Sequence, residues 1–128
     1  KEFRRLLDLV YIGNWILNST REKDRFEDYD ILQEKLFALC AKNGMNALIS
    51  RWQGHIFPSS AYENGGIHEA IADYEDAVFF DILAEELARR DLGCLDSEPA
   101  DYTELNARMD EYMDEFEKSG VENLVLEA

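Results

Sequence analysis

Histidine, cysteine and proline are scarce in this chain, with two of each in 128 residues. Two cysteines cannot make a disulfide framework, and a bridge between Cys40 and Cys94 is not expected in a cytosolic chain. Cys40 shares an apolar helical stripe with Leu36 and Leu39, where a small buried hydrophobe is the natural reading, and Cys94 follows Gly93 at a helix end. Neither has a second Cys or a His close in sequence for metal binding or nucleophilic attack. With His55 and His68 the only imidazoles, general acid–base chemistry would fall to carboxylates. Twenty-eight Asp and Glu leave no single pair distinguished, so no catalytic residue, metal ligand or cofactor is nominated.

Long apolar runs are missing too. The longest, Leu36 to Ala41, is far short of the roughly 20 residues that span a bilayer. Leu9 to Ile12 and Trp15 to Leu17 follow Arg4 and Arg5 in a signal-like order, but no small-residue cleavage site follows and helical patterning starts at once. The expected location is cytoplasmic, with no membrane association. Sequence signatures of chemistry are absent as well. The residues three before His55 and His68 are Trp52 and Gly65, so the Glu-x-x-His pair of di-iron bundles does not occur. Asp24 to Glu34 lacks the central glycine of a calcium loop. Gly65-Gly66 has neither the preceding strand nor the following Lys-Ser/Thr of a phosphate loop.

What the chain has is acid, unevenly placed. Residues 1–60 carry nine Lys/Arg against eight Asp/Glu, whereas residues 61–128 carry four against twenty. Such a field repels phosphates and attracts basic surfaces. The basic residues of the first half (Arg4, Arg5, Arg21, Lys23, Arg25) alternate with acids, which is ion-pair patterning and not a phosphate track, so direct nucleic-acid binding is not expected.

Helical spacing recurs almost throughout. A first helix is expected over about residues 2–18, apolar on nearly every side from Tyr11 to Leu17. Ser19 and Glu22 match capping-box spacing before a second helix striped by Tyr29, Leu32, Leu36, Leu39 and Cys40 and closed at Asn43-Gly44. Met45, Leu48, Ile49 and Trp52 suggest a short third helix ended by Gly54, with a loop from His55 to Asn64. Residues 67–92 read as one long helix whose stripe inverts after Val78, from Ile67, Ile71, Tyr74 and Val78 to Phe79, Phe80, Leu83 and Leu87. The last helix, about 100–119, carries Tyr102, Leu105, Met109, Tyr112 and Phe116 at steps of three and four. Val10, Tyr74, Val78 and Leu105 are the expected core.

These patterns predict an all-α fold, a single domain over residues 1–128 of about five helices with a long central one (67–92) and a candidate sub-unit break at Gly65-Gly66. The expected function is a small non-enzymatic interaction module presenting a carboxylate-rich face to a basic protein, with a nucleic-acid-mimic inhibitor as its sharpest form. The residues nominated for that face are Glu69, Asp73 and Asp76 on the long helix and Asp110, Glu111, Asp114 and Glu115 on the last. The alternative is a helical enzyme or metal-binding protein built on clustered carboxylates, for which Glu69, Asp73 or Asp76 would have to converge with a histidine. The surplus apolar surface on the first helix and around Phe79, Phe80, Leu83 and Leu87 is expected to pack together or to form a homodimer interface.

Overall fold

The computed structural model, which describes residues 1–127, is 67% helical with one small two-stranded sheet, and the fold class is all-α. The chain divides into two compact units, Lys1–Ala72 and the remainder from Asp73. Gly65 and Gly66 belong to the first unit, and the division falls inside the long helix.

The first unit opens with α1 (Glu2–Asn18) and α2 (Glu27–Ala38). Leu7 and Tyr11 begin the buried stripe of α1, and Asn14 and Asn18 continue it at helical spacing, while Leu9 and Ile16 are exposed. In the second half, expected to be apolar on nearly every side from Tyr11 to Leu17, Tyr11 is buried and Ile12 and Trp15 pack against the core, but the other buried positions are the amides Asn14 and Asn18. Burial of an amide is tolerated only when its hydrogen bonds are made, and here they are. Asn18 Nδ2 donates to Asn14 Oδ1 (2.6 Å) and to the Phe26 carbonyl (3.1 Å), and Asn18 Oδ1 accepts from the Phe26 amide (2.8 Å). Asn14 Nδ2 donates to Asp30 (3.0 Å), which Arg25 grips with two nitrogens at 2.9 Å. This network, and not a Ser19–Glu22 capping box, sets the start of α2. The helix is capped by Phe26, without a side-chain cap.

The expected third helix at Met45–Trp52 is also corrected. One 3-10 turn (Asn46–Leu48) leads into a hairpin of β1 (Ile49–Trp52) and β2 (His55–Pro58), paired antiparallel from Ile49↔Pro58 to Trp52↔His55. The two-residue loop explains it. Gln53 and Gly54 both have positive φ (50° and 78°), the primed turn whose twist suits paired strands. A lone hairpin is marginal in water. This one is pinned where Glu34 of α2 accepts from the Ile56 amide (2.9 Å) and meets His55 Nδ1 (3.1 Å), and the Ile56 contact holds the Glu34 carboxyl below its ordinary pKa. Ser59 then caps the single turn α3 (Ser60–Tyr62) by accepting from the Tyr62 amide. A wide turn through Gly66, at φ 109°, joins α3 to α4 (His68–Asp91). Leu7, Tyr11, Phe37, Cys40, Ile49, Tyr62, Ile67 and Ile71 form the core, with the Tyr62 ring edge-on to Tyr11 (5.2 Å) and Phe37 (5.0 Å).

The second unit is the rest of α4 and α5 (Tyr102–Ser119). Ala84 and Ala88, one turn apart, are fully buried, and the small side chains permit close helix approach. Leu105 and Phe116 of α5 are buried as well, and Phe80 packs on Phe116 at 5.4 Å between ring centroids. The loop between the helices is tied down by Arg89, which donates to the Ser97 carbonyl (3.1 Å). Asp101 caps α5 by accepting from the Thr103 amide (2.9 Å).

The inversion read along α4 corresponds to two separate stripes, Ile67 and Ile71 in the first unit and Phe80, Ala84 and Ala88 in the second. Tyr74, expected in the core, falls between them and is 60% exposed. Leu105 is buried as expected, while Val10 and Val78 are only half-buried. Of Phe79, Phe80, Leu83 and Leu87, expected to pack on helix 1 or to form a dimer interface, the last three are half-buried in a unit where α5 supplies a packing surface, and Phe79 is 50% exposed. Cys40 and Cys94 are free and buried.

Candidate interaction surfaces

Division at Ala72 keeps the charge contrast. Residues 1–72 hold nine Lys/Arg and ten Asp/Glu, and residues 73–128 hold four and eighteen. Among the described residues of the second unit, Arg89, Arg90 and Arg108 are already engaged by acids. Arg89 pairs with Glu85 (3.0 Å) and Glu98 (3.7 Å), Arg90 with Asp91 (2.9 Å), and Arg108 with Asp91 (2.9 Å) and Glu111 (2.6 Å). Asp91 is the hub. It also accepts from the Tyr112 hydroxyl, and that bond with the two guanidiniums lowers its pKa to about 2. The cluster fastens the C-terminal end of α4 to α5.

The nominated acids are placed as follows. Asp73 and Asp76 on α4 and Asp110, Glu111 and Asp114 on α5 are exposed, and Glu115 is half-exposed and accepts from Asn123 (2.6 Å). Among the described residues Asp73, Asp76, Asp110 and Asp114 make no ion pair. Glu69 belongs to the first unit, on the opening turn of α4. Among the described residues no three His, Cys, Asp or Glu side chains are grouped to hold a metal ion, and none of Glu69, Asp73 and Asp76 pairs with a histidine. His68 Nε2 is instead joined to the Tyr11 hydroxyl (2.7 Å), and its ring stands edge-on to Trp15 (4.9 Å).

Two residues outside the nominated set complete the picture. Phe79 is 50% and Ile82 60% exposed. With Glu75 and Glu86, also exposed, they run at steps of four, three and four, so all four share one outward face of α4. The sequence held that signal, because Ile82 does not fit the Phe80–Ala84–Ala88 stripe, but Phe79 beside Phe80 reads as part of the same apolar block. A paired apolar anchor between two glutamates, in a strongly acidic unit, suits a partner that is apolar along one stripe and basic beside it.

No family model matches the chain, and neither does any curated protein or solved structure, so no residue takes a role from a relative.

Proposed function

We propose that the chain is a non-enzymatic interaction module whose second unit receives a basic, amphipathic segment of a partner protein. The observation that carries this reading is the outward α4 face, where Phe79 and Ile82 lie exposed between Glu75 and Glu86 in a unit holding eighteen acids and four cations. Exposed aromatic and aliphatic anchors give contact energy, and the surrounding field speeds encounter and selects the sign of the partner. A second copy of the chain is a poor occupant, because the same acidic field would oppose it. The apolar pair favours a peptide-binding module over a nucleic-acid mimic, whose partner would be met by charge alone.

The test uses synthetic helical peptides of one length. One has a Leu/Lys amphipathic pattern, one has the same composition scrambled, and one has Glu in place of Lys. The amphipathic basic peptide should bind and weaken as salt rises. Phe79→Ser with Ile82→Ser should abolish its advantage over the scrambled peptide. Asp110→Asn, Glu111→Gln, Asp114→Asn and Glu115→Gln together should flatten the salt dependence. Equal binding of all three peptides, or none by any, refutes the reading.

A further inference from the structure

The first unit contains a cleft of about 400 Å³ that differs in charge from the rest of the molecule. Lys1, Arg4 and Arg5 line it with a single carboxylate, Asp8, and its floor is the bare backbone of Gly65 and Gly66. Three of the chain's thirteen Lys/Arg thus meet at one place, where the local balance is two positive charges in a protein of net charge −15. We propose that this cleft binds a phosphate dianion carried by a small molecule.

Arg4 is preorganised for the task. Its Nη1 donates to Asp8 Oδ1 at 2.7 Å, and its guanidinium lies 4.5 Å from the centroid of the Tyr62 ring. Tyr62 is itself fixed, being fully buried with its hydroxyl donating to Asp8 (2.9 Å). Burial and that acidic neighbour both push the Tyr62 pKa up, so the ring stays neutral beneath the guanidinium. Arg4 therefore keeps its remaining nitrogens in a set direction, and a fork-shaped donor held in place suits an oxyanion. Arg5 is different. It is 73% exposed, and its one ion pair is a long 3.7 Å contact with the same Asp8. It is the cation free to swing onto a ligand.

Gly65 and Gly66 matter for their lack of side chains. A Cβ on Gly65 would lie 3.8 Å from Arg4 Nη2, so a longer side chain there would occupy the space in front of the guanidinium. Gly66, at φ 109°, lines the cleft and carries the chain into α4. A dianion matches the local excess of two charges better than a carboxylate does. The volume lies in the range of small-molecule sites and exceeds the needs of phosphate alone, leaving the rest of an ester against Ile67 and Ala70.

The experiment is an amide NMR titration of the full chain with inorganic phosphate, glucose 6-phosphate and glucose. Saturable shifts at Gly65 and Gly66 with the phosphates and none with glucose are expected. Tighter binding of the sugar phosphate than of inorganic phosphate is expected, and equal binding overturns the claim that the dianion arrives on a small molecule. Arg5→Gln, at an exposed position, should weaken binding about tenfold, the scale of one charged hydrogen bond. Gly65→Leu should remove binding while leaving the resonances of Tyr62 and Phe37 in place. Absence of saturable shifts with either phosphate, or equal shifts in the wild type and both variants, overturns the proposal.

Discussion

Replacing Asn18 by aspartate changes one atom type and almost no volume, which makes it the cleanest probe of the α1–α2 network. Asn18 is 1% exposed. Its Nδ2 faces three acceptors, Asn14 Oδ1, the Phe26 carbonyl and Asp30 Oδ1, at 2.6, 3.1 and 3.3 Å. In Asn18→Asp an oxygen takes the place of that donor, so at neutral pH a buried carboxylate is set against three oxygens. An uncompensated buried charge costs about 3–5 kcal/mol. Arg25, bonded to the Asn18 carbonyl (3.2 Å) and to Asp30, lies near enough to offset part of this, so about 3 kcal/mol is expected at pH 7. Burial and the Asp30 carboxylate raise the introduced group's pKa above its unfolded value. Protonation restores a donor, so the penalty relative to wild type should shrink as pH falls through that raised pKa. Urea unfolding of both proteins at pH 7 and at pH 5 measures the difference directly. Asn18→Ala serves as control: it removes the same bonds without adding charge, and its cost should be the same at pH 7 and pH 5, where Asp30, with its pKa held below the ordinary carboxylate value, stays ionised. A penalty for Asn18→Asp below about 1 kcal/mol, the worth of a single ordinary hydrogen bond, would refute the reasoning. So would a penalty that does not change with pH.

Leu105→Ala should cost about 2–4 kcal/mol by urea unfolding, since the side chain is 2% exposed, whereas Tyr74→Ala, at 60% exposure, should stay within about 0.5 kcal/mol of wild type. Asp91, with its pKa lowered to about 2, favours the folded second unit at pH above the ordinary carboxylate range, and that contribution should fade as pH drops from about 4 through 2. Tyr112→Phe removes the largest cause and should raise the Asp91 pKa in a carboxyl-carbon NMR titration. At the hairpin, Gly54→Ala (φ 78°) should destabilise by about 1 kcal/mol, while Gln53→Gly (φ 50°) should be neutral or stabilising. Raising salt from 0.01 to 0.5 M should raise the melting temperature, because screening shortens the reach of repulsion among the eighteen acids of residues 73–128, and a melting temperature independent of salt would count against uncompensated repulsion there.

Much of the helical framework was legible because its signals are local and repeated. The bounds of α1, α4 and α5 follow from apolar spacing and from Gly93 and Gly120, both at positive φ where the helices end. The hairpin was not legible by that route. Met45, Leu48 and Ile49 do face the core, yet they reach it from a 3-10 turn and the first residue of a strand, and Trp52, which completes the helical spacing, is 65% exposed. The informative residues were Gln53 and Gly54 between two short β-prone runs, a turn signal weaker than Asn-Gly. The polar stripe of α1 was hidden for another reason. Asn14 and Asn18 are buried through partners on α2 and its approach, Phe26, Asp30 and Gln33, and such pairing across elements leaves no periodic trace in the sequence.

The candidate surfaces divide in the same way. The sign of the second unit was readable from composition alone, but the boundary was not. A cut at residue 60 leaves Glu63 and Glu69 on the acidic side, whereas the contact boundary at Ala72 returns them to a first unit that is then almost neutral. Acidity on this scale exceeds a net charge of about 2–8, which suffices to keep a small domain soluble. Solubility also gives no reason to leave Phe79 and Ile82 half in water beside Glu75 and Glu86, since an exposed apolar pair works against it. The two features oppose each other in an isolated protein, and in the proposed reading they act together on a partner that is basic and apolar. That is why the outward face of α4, more than the count of carboxylates, carries the interaction reading.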